Sequence, residues 1–213
     1  MKFDNILNLI PHLGQLPVST AASHAKMEPT DRIEFMKTFD ASIYSPRNAA
    51  VMALIYPKVG VAHLVLILRT SYNGVHSSQV AFPGGKAELF DGSFWDTAVR
   101  ETNEEIGVVA AEMKFVRDLS PLYVPPSNFM VYPFLGYALQ EPTFVLDATE
   151  VAGIIEIPIS DFLNIIPVVS RDLETSYMQK KAVNGFEINQ HFVWGATAMI
   201  LSELKDLLKS ATL

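Results

Sequence analysis

Apolar residues recur along this chain in two rhythms, one with the period of a helix and one with the period of a strand. Phe3, Ile6, Leu7 and Ile10 stand at helical spacing, so residues 3–13 read as a short amphipathic helix with Pro11 near its end. The small and polar run Gly14–Thr30 follows, and Asp31–Phe39 reads as a second short helix. Ala49–Tyr56 and Val61–Arg69 are apolar and rich in β-branched residues. With Pro57-Lys58-Val59-Gly60 between them, they predict a hairpin or two adjacent strands. Gln79–Phe82 predicts a further short strand leading into a glycine turn at Gly84-Gly85, and Met113–Asp118, Asn128–Leu139 and Ala152–Pro158 are strand candidates beyond it. Helical spacing returns with Ile200, Leu201, Leu204, Leu207 and Leu208. Ala196–Lys209 therefore reads as a closing helix packed on a sheet, with Lys205 and Lys209 suiting its dipole. Trp194, just ahead of it, reads as a core residue.

Between the two groups of strands, Ser93 with Asp96 three residues on is a capping-box arrangement, and Gly107 is a stop. The helix so bounded has two faces. Trp95, Val99, Thr102 and Ile106 form a mainly apolar stripe, while Glu101, Glu104 and Glu105 share a neighbouring face within about 100° of arc. A helix flanked by strands on both sides in sequence predicts an α/β sandwich around a mixed sheet.

Composition narrows the classes of function. A chain of 213 residues, 49% hydrophobic and 18% charged, is long enough for one domain with a substantial core and is unlike a disordered segment. A net charge of −7 argues against a general nucleic-acid binder. It leaves a polyanionic small molecule open, because metal ions and a few Arg, Lys or His residues can neutralise such a ligand locally. With no cysteine, disulfides and zinc–thiolate sites are excluded. Asp4 stands where a signal peptide needs its apolar run, and Val59–Leu68 is broken by Gly60 and His63, well short of the roughly 20 residues of a membrane span. Ala211-Thr212-Leu213 is not a peroxisomal address. The expectation is a cytoplasmic protein without a membrane partner.

Three carboxylates packed on one helical face repel one another unless a cation sits between them, and an all-oxygen donor set suits Mg²⁺ or Mn²⁺ better than zinc. The alternative for the acidic helix alone is a solvated face, with Arg100 and Glu104 as an ordinary i,i+4 ion pair. The wider pattern favours the metal platform. Gly85, Asp91, Arg100-Glu101, Glu104-Glu105 and Gly107 in this order resemble the Nudix hydrolase box. This chain has Asp91 for the usual spaced Glu, eight residues instead of seven between it and Arg100, and Thr102 at the usual hydrophobic position. The Asp and the extra residue are similar to the coenzyme A pyrophosphatase branch. So is the run Leu68-Arg69-Thr70 … His76-Ser77-Ser78-Gln79-Val80-Ala81-Phe82-Pro83-Gly84-Gly85-Lys86, although Ser78 replaces a glycine. Ser127-Asn128-Phe129, Glu150-Val151 and Val193-Trp194-Gly195 extend the likeness towards the last helix.

The resemblance implies a Nudix-type α/β/α sandwich over residues 46–213. Residues 1–45 lie outside it and read from their own pattern as a helical extension serving packing, substrate covering or the contact of a homodimer. It implies a metal-dependent hydrolase of a diphosphate linkage, cleaving coenzyme A or acyl-coenzyme A into 3′,5′-ADP and the phosphopantetheine part. ADP-ribose, a dinucleotide or a nucleotide sugar is the alternative substrate, and a non-catalytic ligand sensor is the alternative from another class. Glu101, Glu104 and Glu105, with the Gly85 carbonyl, are the implied metal ligands. Arg100 steadies the carboxylates, and Asp91 is its charged partner. Glu101, Glu105 and Glu150 are the candidates for taking a proton from water. For substrate, Arg69, His76, Gln79 and Lys86 border the glycine turn, where Arg suits bidentate phosphate recognition and Lys a point contact. For His76 a turn-stabilising hydrogen bond is the equal alternative, and Arg69 could instead pair with an acid of the box.

Overall fold

Two long antiparallel strands, β1 (Arg47–Lys58) and β2 (Val61–Arg69), form the spine of the computed structural model, which describes residues 1–17, 20–70, 79–175 and 178–212. Their turn is tighter than the sequence implied. Lys58 pairs with Val61, so only Val59 and Gly60 connect the strands, both with positive φ (49° and 74°), and Pro57 lies within the ladder opposite Ala62. Strand β3 (Val80–Ala81) pairs with β2, and the expected glycine turn is itself a strand: β4 (Gly84–Lys86) pairs antiparallel with Val51, Ala50 and Ala49 of β1.

Ahead of β1 the chain forms α1 (Phe3–Leu13), α2 (Thr20–Ala25), α3 (Thr30–Met36) and α4 (Ala41–Tyr44), and β4 is followed by α5 (Phe94–Ile106). After α5 come β5 (Met113–Asp118), β6 (Leu122–Val124) and β7 (Phe129–Ala138). β7 returns parallel to β1, a pairing that needs a crossover connection, while β5 and β6 pair antiparallel with β7. With β8 (Val151–Pro158) antiparallel to β2, the result is a mixed sheet whose main path runs β3-β2-β1-β7-β5.

Side-chain alternation divides β1 between two layers. Ala50, Met52, Leu54 and Tyr56 are buried with Ala98 and Ile106 of α5, while Ala53 and Ile55 join Leu64 and Leu66 of β2 on the opposite face. That second face is covered by α7 (Gly195–Ala211) through Leu201, Leu204 and Leu208, and by Phe3, Ile6 and Leu13 of α1. Because β2 is buried on both faces, its sequence reads as an almost unbroken apolar run. The layers are helix, mixed sheet and helix, as the sequence predicts.

Two features were not expected from apolar periodicity. After α6 (Ile159–Asn164), strands β9 (Val168–Thr175), β10 (Met178–Ile188) and β11 (His191–Trp194) form a separate antiparallel sheet in that order. Helix α2 lies inside the run taken for a polar connection, and it is held by polar groups. Ser202 Oγ donates to the Ser23 carbonyl at 2.7 Å, His24 Nε2 lies 2.8 Å from Glu203 Oε2, and Ser120 donates through N and Oγ to Glu203 Oε1, both at 2.9 Å. The second predicted helix ends at Met36 instead of Phe39. Among the described residues, no helix is long and apolar enough to cross a membrane.

Candidate active site

The termini of α5 follow the sequence: Ser93 Oγ accepts from Asp96 N at 3.2 Å and donates to Asp96 Oδ2 at 2.8 Å, and Gly107 ends the helix at φ 76°. Its inner side is Ala98, Thr102 and Ile106, with Thr102 Oγ1 donating to the Ala98 carbonyl at 2.6 Å so that a hydroxyl fits in the core. Trp95 packs edge-on to Phe115 and Phe134, at 5.2 and 5.8 Å between ring centres. This seating grades the three acids. The Glu105 side chain is 2% exposed, Glu101 15% and Glu104 57%.

Arg100 gathers the acidic loop and the helix. Its Nε donates to Asp91 Oδ1 and its Nη2 to Asp91 Oδ2, both at 2.9 Å; Nη1 donates to Glu101 Oε1 at 2.6 Å and Glu104 Oε2 at 3.0 Å, and Nη2 also reaches the Lys86 carbonyl at 3.1 Å. Asp91 accepts further bonds from Glu88 N at 2.9 Å and Thr97 Oγ1 at 2.8 Å. The guanidinium, with these donors, holds the Asp91 carboxyl far below the ordinary carboxylate range despite its desolvation.

On the inner side, Gly84 N donates to Glu105 Oε2 at 2.8 Å and Arg69 Nη1 approaches Glu105 Oε1 at 3.4 Å. Arg69 does pair with an acid of the helix, and its Nη2 also lies 3.9 Å from Glu150 Oε2. Glu150 is brought here by the loop that closes α5, where Val145 N and Asp147 N donate to the Ile106 and Glu105 carbonyls at 3.0 Å each, and by Thr70 N, which donates to the Glu150 carbonyl at 2.9 Å. Burial pushes the Glu105 carboxyl up to about 7, against the Gly84 N–H and Arg69; the Glu101 and Glu150 charges add to the rise. Burial likewise raises Glu101, with Arg100 opposing it.

Among the described residues, no three His, Cys, Asp or Glu side chains stand in a ready metal-holding arrangement. The reason is visible: Arg100 engages Glu101 and Glu104, while Glu105 is turned to the Gly84 amide. The donors nevertheless fit a hard divalent cation. All are oxygens, and the Gly85 backbone approaches Glu101 so closely that a Cβ there would lie 2.2 Å from Glu101 Oε2. Only glycine lets the Glu101 carboxylate lie directly against the Gly85 backbone, which puts carboxylate and peptide oxygens within reach of one cation.

Arg69, Gln79 and Lys86 line one end of a cleft of about 640 Å³, while His76 lies outside the described residues. Lys86 Nζ is 3.0 Å from Glu88 Oε1. The cleft continues over Ala49 and Val51 to Phe129 and Val131, with Phe35 and Trp194 on its walls. Trp194 is thus a half-buried cleft residue and not a core one; the core position is its neighbour Val193. Phe35 carried no separate signal, since a single aromatic in a short helix reads as packing, whereas Phe129 stood in the Ser127-Asn128-Phe129 segment of the likeness without a role assigned to it.

A family model described as the NUDIX domain matches residues 46–175. An uncharacterized Nudix hydrolase, NudL, from Yersinia enterocolitica is 35% identical over 141 residues, covering 66% of this chain and 71% of that protein. The protein of the same description from Yersinia pestis is 35% identical, covering 66% and 70%. Among solved structures, a MutT/nudix family protein from Enterococcus faecalis superimposes with a TM-score of 0.51 at 14% identity, over 92% of this chain and 76% of that one. The NUDIX domain of Shewanella oneidensis NrtR, complexed with ADP ribose, gives 0.50 at 12% identity, over 85% and 98%. At such identities the likeness is one of fold.

Proposed function

The chain belongs to the Nudix hydrolase family, and from that premise we propose that it is a cytoplasmic enzyme hydrolysing the diphosphate linkage of coenzyme A or acyl-coenzyme A. The products are 3′,5′-ADP and (acyl-)4′-phosphopantetheine. Residues 46–213 form the hydrolase domain, and residues 1–45 are a helical extension of it whose α3 borders the cleft.

Glu101, Glu104, Glu105 and the Gly85 carbonyl would hold Mg²⁺ or Mn²⁺. When bound, a divalent cation neutralises phosphoryl oxygens and assists in-line attack by water. The chain's own residues do the rest. Arg100, fixed by Asp91, keeps the β4 backbone and the acids of α5 in register. Arg69 and Lys86, with Gln79 and His76, contact the phosphates. Water attacks one phosphorus, its proton passes to Glu101, Glu105 or Glu150, and the bridging oxygen leaves with the other phosphate. The three carboxylates are separated by which single Gln variant removes the low-pH limb of the pH–rate profile, where the base becomes protonated.

The observation that carries this reading is the seating of the Gly85 backbone against Glu101 while Arg100 ties Lys86, Asp91 and Glu101 together. The substrate assignment rests on the Leu68–Lys86 run of the sequence. Incubation of the purified protein with coenzyme A and Mg²⁺, beside ADP-ribose and dinucleotides, followed by chromatography, tests it. Release of 3′,5′-ADP supports the reading, and preference for another member of the panel replaces the substrate.

A further inference from the structure

Helix α3 has only seven residues, too few to be stable alone, and no side chain of it is fully buried, yet its position is fixed. Arg32 donates from Nε to the Tyr123 carbonyl at 3.1 Å and pairs with Glu28, and Asp31 pairs with Lys181 of β10. Phe35 packs against Tyr44 and Tyr123 at 5.2 and 5.9 Å between ring centres, and Phe39 stacks on Tyr123 at 4.0 Å. The helix so anchored faces the cleft that begins at Gly84–Lys86.

We propose that this cleft holds the apolar arm of the substrate beyond the diphosphate, and that Phe35 sets the length of arm accepted. The proposal rests on the diphosphate reading above and concerns what lies beyond the reacting bond. Three observations carry it. The cleft is continuous with the β4 backbone, so a ligand whose diphosphate lies there extends into it. Its floor and walls are mainly apolar: Ala49, Val51, Phe129, Val131, Phe35 and Trp194. The charged side chains that line its α3 end already have ion-pair partners, Asp31 in Lys181 and Arg32 in Glu28, so neither is an unengaged group awaiting a further phosphate. A sugar or phosphate in that position would give up hydration against apolar walls, whereas a hydrocarbon chain gains from the same transfer. A volume of about 640 Å³ falls within the range of sites that enclose a whole ligand portion. Phe35, on a helix outside the 46–175 family match, would thus act as a specificity-determining residue.

Calorimetry in EDTA, where turnover is stopped, with coenzyme A and its butanoyl, octanoyl and dodecanoyl thioesters, each below its micellar concentration, provides the test. Affinity should rise with chain length in the wild type, by at most about fourfold per fully buried methylene, until the cleft is filled. Phe35→Trp should weaken the longest thioester at least tenfold and leave coenzyme A within twofold, while Phe35→Leu should move the best length outward. Opposite shifts of this kind cannot come from general loss of structure. Affinity independent of chain length, or the same length dependence in all three proteins, overturns the proposal. Equal weakening of coenzyme A and every thioester by Phe35→Trp also overturns it, by placing the nucleotide in the cleft. Parallel assays with Mg²⁺ separate the levels: cleavage of coenzyme A without length dependence removes this inference alone, and no cleavage of any form removes the substrate reading as well.

Discussion

Arg100 grips Asp91 with two parallel hydrogen bonds of 2.9 Å, joining the loop after β4 to the middle of α5. A planar guanidinium can do this while still reaching Glu101 and the Lys86 carbonyl; an ammonium is a point donor. Arg100→Lys and Asp91→Asn are each expected to lower kcat/KM about 10–100-fold, the usual effect of losing a group that orients metal ligands. Steady-state kinetics with a metal titration checks this, and near-wild-type kinetics in both would show that the grip is only structural.

Gly84 and Gly85 separate fold from chemistry. At Gly84, with φ 148°, a Cβ would lie 2.3 Å from the Ala50 carbonyl oxygen, so Gly84→Ala forces backbone apart and should lower stability by about 1–3 kcal/mol. At Gly85 the obstacle is the Glu101 carboxylate, the end of a side chain that can swing away. Gly85→Ala should keep its thermal midpoint within a few degrees and lose most activity. Thermal melts and turnover of the two variants, side by side, give the comparison.

Glu203 couples the N-terminal helices to acid. Burial alone would raise its carboxyl, but His24 and the Ser120 donors outweigh burial and hold it below the ordinary value. A lowered folded pKa stabilises fully above the unfolded value and is lost as pH falls through the folded one. Wild-type stability should therefore decline as pH drops below about 4.5. Glu203→Ala should cost about 1–3 kcal/mol at neutral pH by orphaning the Ser120 donors. Denaturant titrations from pH 3 to 7 measure both; a variant as stable as wild type throughout would contradict this role.

Glu105 has the opposite sign. Its folded carboxyl lies near 7, above its unfolded value, so the folded protein holds the proton longer and the metal-free protein should lose stability as pH rises from about 4.5 through 7. Glu105→Gln should flatten that slope and keep or raise the melting midpoint at pH 8, while cutting turnover at least about 100-fold if it ligates the metal. Loss of stability equal to the loss of activity would instead make Glu105 a structural residue.

Much of this was legible in the chain because local signals agreed with the fold. The Ser93 cap, the Gly107 stop and the apolar face of α5 gave the helix its limits, and continuous apolar runs gave β1 and β2. The graded burial of Glu101, Glu104 and Glu105 was not legible, since helical angle alone does not say which side the sheet covers. Gly84–Lys86 read as a turn because glycine weakens strands, whereas here pairing with β1 and close approach to Glu101 require it. Ser23 and His24 lie in a small and polar run with no apolar period to mark a helix, and their burial depends on polar partners on α7, far along the chain. Strands β9 and β10 carry charges such as Arg171, Asp172, Lys180 and Lys181, so no apolar run announced them.

The central claim is that the acids of α5 gather a divalent cation against a diphosphate. Mn²⁺ binding followed by electron paramagnetic resonance, with methylene diphosphonate as a non-hydrolysable diphosphate, tests it most directly. Wild-type protein should bind Mn²⁺ more tightly with the diphosphonate than without, and Glu101→Gln and Glu105→Gln should each weaken that binding at least about tenfold. Binding that is undetectable in the wild type, or unchanged in both variants, would contradict the account.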